Sequence, residues 1–315
     1  MSGAALATGL DYHLLDVFTD RAGGGNPVAV FVDAPALPDE TMQATAAALG
    51  LSETVFVLPA TDGASLRRLR IFTPAMELPF AGHPTIGTAH LLVDLGAVNE
   101  SAPGTWRFAL EETVGRIAIE VTASGDGGRP RFAWLTTSAL PTRGPEPPDA
   151  AALASVLGVD ERAIVLDEKD APRAYSAGVP FLYVPVRDRA TLARVRIDVE
   201  RWKTVVASFW APHVYVFVPP GTDGLPDHEL AARMFAPAMG IVEDPATGGA
   251  VAGLAGYLRD RGEGLGRWMV AQGREMGRAS ELHVELLGDG GSLEAVRVGG
   301  AAVRVGTRRF EGRTA

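Results

Sequence analysis

Three side chains in this sequence are of the types and in the settings that proton transfer on a small anion requires: Glu53, His83 and Asp244. His83-Pro84 and Asp244-Pro245 each place a proline after a polar residue, which predicts a helix start with proline at its first position and the polar side chain at the cap. The first N–H groups of such a helix point outward with partial positive charge, so each start can receive an anion. Aspartate is among the commonest caps, and a structural role alone explains Asp244; histidine is a poor cap, so His83 asks for another reason. Gly82 before the first start, and Gly248 and Gly249 in the second, let backbone amides rather than side chains face a ligand. Glu53 opens the run Glu53-Thr54-Val55-Phe56-Val57-Leu58, where period-two alternation puts it on the face of Val55 and Val57. Either it lies just ahead of the strand and turns to solvent, or it faces apolar surroundings where desolvation fits it for general acid and base work.

The elements that must position these groups are written twice. Arg70-Ile71-Phe72-Thr73-Pro74-Ala75-Met76 returns as Arg233-Met234-Phe235-Ala236-Pro237-Ala238-Met239, with five of seven positions identical. Each copy runs on to its proline-marked helix start, so a strand, a loop and a helix are duplicated. A spacing of about half the chain is too long for a solenoid repeat and predicts two like domains with the site in the cleft between them. The length of 315 residues agrees with two cores. The Gly125-Asp126-Gly127-Gly128 run is the best linker, giving domains 1–127 and 128–315, with the C-terminal strand free to pack back on the first.

Along the chain, strands are expected at 14–18, 28–32, 54–58, 66–72, 132–136, 164–166, 181–186 and 214–218, with a hairpin over 106–110 and 116–121 and two or three strands over 281–304. Helices are expected over 38–50, 84–95, 150–157, 191–195 and 245–261. Helices among hairpins, without strict βαβ alternation, predict an α+β fold in which each domain wraps a curved, mostly antiparallel sheet around one central helix.

Composition narrows the chemistry. The formal charge of -9 leaves no basic surplus for nucleic acid or anionic membrane. A basic n-region and a long apolar run are both missing, so no membrane contact is expected and a cytoplasmic location is. With no cysteine, thiol nucleophiles and thiolate metal sites are excluded. The histidines at 13, 83, 90, 213, 228 and 283 form no i, i+4 pair, and neither a dinucleotide fingerprint, a P-loop nor a Gly-x-Ser-x-Gly elbow occurs. No metal and no cofactor are expected.

Gly25-Asn26-Pro27-Val28-Ala29-Val30, Leu51-Ser52-Glu53-Thr54, Phe72 through Thr85, Val242 through Gly248, and Gln272-Gly273 with Met276-Gly277-Arg278 and Ser280 together resemble the phenazine-biosynthesis isomerase-like family, across nearly the whole chain. The resemblance implies the diaminopimelate epimerase-like fold, two pseudo-symmetric domains and a homodimer. It implies that Glu53 shuttles a proton while His83 and Asp244 hold and polarise the substrate. The substrate-binding positions it implies are Asn26, Gly82, Thr85, Thr247, Gly248 and Gly249. Epimerases of this fold use a cysteine at each helix start, which this chain lacks, so a single-base proton shift is favoured over a two-thiol relay. Family members often carry serine where this chain has Gly249, and that hydroxyl helps bind the substrate carboxylate in the phenazine enzyme; dihydro-hydroxyanthranilate would lose that contact here.

The resulting expectation is an isomerase that moves a proton across an allylic or dienyl system of a small carboxylated metabolite. A lyase or dehydratase using the same carbanion chemistry, and a non-catalytic ligand-binding protein on the same fold, are the alternatives. Product mass separates the first alternative, and the effect of Glu53→Gln on turnover or on ligand affinity separates the second.

Overall fold

The computed structural model describes residues 6–32, 34, 37–123 and 130–312. The Gly125 to Gly128 linker and the 127/128 boundary expected from sequence lie outside the described residues. Two compact units form, Met1–Ser138 with Gly299–Ala315, and Ala139–Val298.

In the first unit, β1 (Asp11–Val17) and β2 (Asn26–Phe31) pair antiparallel across the glycine turn. Asp16 Oδ2 accepts the Gly23 N–H at 2.7 Å, and Gly25, at φ 59°, stands where any Cβ would collide with the Val17 carbonyl. Helix α1 (Asp39–Leu49) stops at Gly50 in the left-handed region, after which β3 (Glu53–Leu58) runs parallel to β2. Antiparallel β4 (Arg67–Phe72) and short β5 (Glu77–Leu78) lead into α2 (Gly82–Asp94). Then β6 (Thr105–Glu112) pairs parallel with β4, followed by antiparallel β7 (Gly115–Ala123) and β8 (Pro130–Thr136).

The second unit contains β9 (Thr142–Arg143), α3 (Ala150–Leu157), β10 (Arg173–Ser176), β11 (Pro180–Pro185), α4 (Arg189–Arg194), α5 (Val199–Val205) and β12 (His213–Val218). It continues through β13 (Glu229–Ala236), β14 (Ile241–Asp244), α6 (Gly248–Asp260), β15 (Gly266–Gln272), β16 (Ser280–Asp289) and β17 (Ser292–Gly300), whose last two residues belong to the first unit. The last strand, β18 (Ala302–Arg309), belongs to the first unit, where it pairs antiparallel with β1.

The duplication read from sequence extends to the pairing rules. Parallel β2–β3, antiparallel β3–β4 and β4–β5, then α2, parallel β4–β6 and antiparallel β6–β7 have counterparts in β11–β12, β12–β13, β13–β14, α6, β13–β15 and β15–β16. The repeated arginine makes the same contacts each time. Arg70 forks onto Glu77 at 2.8 and 2.6 Å with its guanidinium 5.1 Å from the Phe72 ring centre; Arg233 forks onto Glu243 at 2.7 and 2.8 Å, 5.0 Å from that of Phe235. Planar bidentate pairing explains why arginine rather than lysine is repeated.

Each unit has one central helix. Every residue of α2 from Gly82 to Val93 is buried, and the helix packs against β1, β2, β3, β7, β8 and β18, strands from both ends of the pairing order, so the sheet curls around it. In α6, Gly248 and Ala250 to Leu258 are buried, against β9, β10, β11 and β16. Close approach demands glycine at the same step of each helix. A methyl on Gly87 would lie 2.7 Å from Val17 Cγ2 and 3.0 Å from Val28 Cγ1, and one on Gly253 would strike the Tyr183 hydroxyl. Gly87→Ala is therefore expected to destabilise the chain by about 1–3 kcal/mol through overpacking, although alanine is the better helix former by about 1 kcal/mol. Urea titration reads the sign; a raised midpoint would mean that the helix can back away from β1 and β2.

Several boundaries differ from expectation. Ile164 makes an isolated bridge to Val186 instead of a strand over 164–166, after a short 3-10 turn at Glu161–Ala163. Strands β10 and β15 and helix α5 were not anticipated, although Asp198, which caps α5 by accepting the Arg201 N–H, was a legible signal. Both proline-marked starts are also corrected. Ala81 stands at the cap of α2, so His83 and Pro84 lie inside its first turn; α6 begins at Gly248, with Asp244 closing β14 and Pro245 in the loop between. Neither helix start carries a side-chain cap, whereas α3, α4 and α5 are capped by Asp149, Asp188 and Asp198.

Candidate active site

Glu53 is the first residue of β3 and opposes Val28 on β2. It is buried at 9% exposure, so the solvent-facing alternative does not hold. Val28 also packs against Gly87, which puts this end of the ladder under the first turns of α2. There Glu53 Oε2 lies 3.3 Å from His83 Nε2.

The His83 ring is held by Pro27. A proline has no N–H, so its backbone can only accept, and the imidazole must be the donor in the bond between them. Nε2 is not engaged in that bond, which leaves Nδ1–H as the donor and Nε2 as the lone-pair nitrogen, 3.3 Å from Glu53 Oε2 without the alignment of a hydrogen bond. Burial lowers the His83 pKa to about 3 against the opposing pull of Pro27, so the imidazole is neutral at physiological pH. A neutral ring presenting a lone pair to a carboxyl oxygen is attractive only when a proton lies between them.

Around it, Asn26 is fully buried at the head of β2, Gly82 opens α2, and Thr85 is fully buried, with its hydroxyl oxygen in hydrogen-bond contact with the Ala81 carbonyl and with Glu112. Among the sequence-selected residues of the first unit, the geometry thus joins Glu53 to His83 directly and gives Thr85 partners within the protein.

In the second unit, Asp244 is 6% exposed and accepts the Thr247 hydroxyl through Oδ2 at 2.6 Å. Gln272, the last residue of β15, ties the loop together: its Nε2 donates to the Asp244 carbonyl at 2.8 Å and to Thr247 Oγ1 at 3.1 Å. Its Oε1 accepts from the Thr247 N–H and the Tyr215 hydroxyl, both at 3.4 Å. Gly273 follows in the left-handed region, where a Cβ would collide with the Pro245 and Arg278 carbonyls. Gly248 and Gly249 then begin α6, and a Cβ at Gly249 would meet only the Phe181 ring, at 3.7 Å, an ordinary contact. Packing around Cβ therefore does not by itself demand glycine at 249.

Sequence reasoning missed Gln272 and Glu112 as supports. Gln272-Gly273 was visible only as a motif without a role. Glu112 shares strand parity with Trp106 and Leu110, both buried, which is the pattern that could have exposed it. Among the described residues, no group of three or more His, Cys, Asp and Glu side chains is arranged to hold a metal, and no helix is long and apolar enough to cross a membrane.

The fold is α+β with two like units, an arrangement seen in the PhzF-family phenazine biosynthesis protein of Bacillus anthracis, a solved structure that matches with a TM-score of 0.82 at 24% identity over 96% of this chain and 98% of that one. Residues 15–308 match the family described as phenazine biosynthesis-like protein, and the chain belongs to that family. Relatives include an uncharacterised isomerase of Mesorhizobium japonicum, 38% identical over 94% of this chain and 96% of the relative. Another is the trans-2,3-dihydro-3-hydroxyanthranilate isomerase of Pseudomonas aeruginosa, 34% identical over 92% of this chain and 95% of the relative. The protein is an isomerase.

Proposed function

We propose that this isomerase moves a proton across an allylic or dienyl system of a small carboxylated metabolite, with Glu53 as the single acid and base. The observation that carries the reading is the 3.3 Å approach of Glu53 to the lone-pair side of a neutral imidazole whose other nitrogen is anchored on Pro27. Glu53 takes the proton from one carbon as the π electrons shift, and returns it to another on the same face, so no atom is gained or lost. His83 accepts from the carboxyl when Glu53 carries the proton and so orients it for the return to carbon. Asp244 with Thr247 polarises the substrate, and Asn26, Gly82, Thr247, Gly248 and Gly249 keep the binding roles read from sequence. The start of α2 beside His83 carries no side-chain cap, so its first N–H groups can meet an anion.

Turnover in deuterated water tests this. Trans-2,3-dihydro-3-hydroxyanthranilate, the compound in the name of the Pseudomonas aeruginosa relative, is the first probe, followed by other small unsaturated carboxylates. The expected product is an isomer carrying deuterium at a single carbon, to the extent that the proton held by Glu53 exchanges with solvent before it is returned. A product lighter by water would make the enzyme a lyase, and full turnover of Glu53→Gln would remove Glu53 from the chemistry. Since Gly249 offers no hydroxyl, a Gly249→Ser variant that gains activity on the probe while wild type prefers another carboxylate would locate the difference in substrate.

A further inference from the structure

Beneath the first turn of α2, Thr85 Oγ1 lies 2.7 Å from the Ala81 carbonyl oxygen and 2.5 Å from Glu112 Oε1. Three oxygens joined by two contacts this short need two protons. The hydroxyl has one and the carbonyl none, so the other must be on Glu112. Glu112 is 4% exposed at the end of β6, its Oε2 has no hydrogen-bond partner, and the Ala81 N–H faces its carboxyl. An ionised carboxylate so placed would leave an oxygen desolvated and uncompensated.

We propose that Glu112 is a positioning residue, a buried carboxylic acid that donates to Thr85, which in turn donates to Ala81, clamping the end of β6 to the turn of α2 on which His83 stands. The proposal rests on the reading of His83 as part of the active site. The ionisable groups of the packed elements have partners of their own: Glu111 on β6 accepts from Thr61, Arg68 on β4 lies 3.9 Å from Glu111, and Glu77 on β5 holds Arg70. On β7, Arg116 pairs with Asp62; on α2, His83 faces Glu53 and His90 bonds the Gly300 carbonyl.

Burial pushes the Glu112 pKa up to about 8, so the clamp is closed at neutral pH and opens above it. An unfolded carboxyl titrates near 4.5, so the folded protein binds one extra proton between the two values and its stability falls as pH rises through that window. E112Q keeps a donor for Thr85 and removes the titration. Its melting temperature should therefore rise relative to wild type as pH is raised from about 5 to 8.

Three readouts on the full chain, none needing substrate, decide the matter. Difference infrared spectra at pH 6 should show a protonated carboxyl band in wild type that E112Q lacks. Nitrogen NMR of the His83 ring should be wild-type-like in E112Q and shifted in E112A. In wild type the same signals should move as pH passes 8 and stay still in E112Q, an arm that survives if E112A does not fold. Parallel melting curves with no lost infrared band would mean that Glu112 is ionised; His83 signals that follow neither pH nor E112A would mean that the clamp does not position the ring. Either result overturns the proposal and leaves the proton-shift reading to its own test.

Discussion

Glu53→Gln should lower kcat by about 10²–10⁴-fold with the fold intact, the loss expected when a general acid and base is removed. The amide matches the carboxyl in shape, and its N–H can still donate to the His83 lone pair 3.3 Å away, so the local geometry has every reason to persist. What the amide cannot do is accept a proton from carbon and give it back. Because His83 is held neutral, with a pKa of about 3, the imidazole contributes no limb to the pH–rate profile between about pH 5 and 8. Single-turnover rates measured beside thermal melting check both points. Activity within a few-fold of wild type in a well-folded variant would mean that another group moves the proton.

The second large effect concerns stability. Arg233→Ala should cost about 3–5 kcal/mol, because it removes a buried guanidinium, strips the half-buried Glu243 carboxylate of its forked partner and frees two helix-end carbonyls at once. Arg233 Nη1 donates to the carbonyls of Leu192 and Val195, both at 2.9 Å, and these close the C-terminal end of α4. Its counterpart Arg70 is less committed: its side chain is 13% exposed against 4% for Arg233, and its further partner Asp39 is 81% exposed. Arg70→Ala should accordingly cost less than Arg233→Ala, and chemical denaturation of the two variants gives the comparison. Replacing Arg233 and Glu243 together by apolar residues should recover part of the loss, since no orphaned charge remains. Equal costs for the two single variants would show that carbonyl bonding and burial add nothing to the fork.

The duplicated strand and loop were legible because their residues are local: arginine, aromatic, proline and methionine recur at fixed steps, and the structure turns them into two like forks. Helices α1 and α3 were equally plain, each with apolar spacing and a glycine stop, Gly50 and Gly158, in the left-handed region. The site was only half legible. Strand β3 is buried from Glu53 to Val57, on both faces, so alternation had no power to say where Glu53 points. What decides it is α2, far along the chain. The start of α6 was misplaced for a similar reason: Pro245 reads as a first helical residue, but Gln272 on β15 holds Asp244 and Thr247 in a loop, and the helix waits until Gly248. Proton count at Thr85 could not be read at all without distances.

The pairing of β18 with β1 bears on how the protein is made. Residues Ala139–Val298 are contiguous, so the second unit leaves the ribosome as a complete stretch of chain. The first unit does not: β1, translated before the second unit, has as partners along one edge Arg309 through Ala302, which are translated after it. Throughout synthesis that edge offers open N–H and C=O groups to any neighbouring strand. The half of the molecule that contains Glu53 and His83 is begun first and closed last, so its exposure to misassembly is set by the time needed to translate the other half.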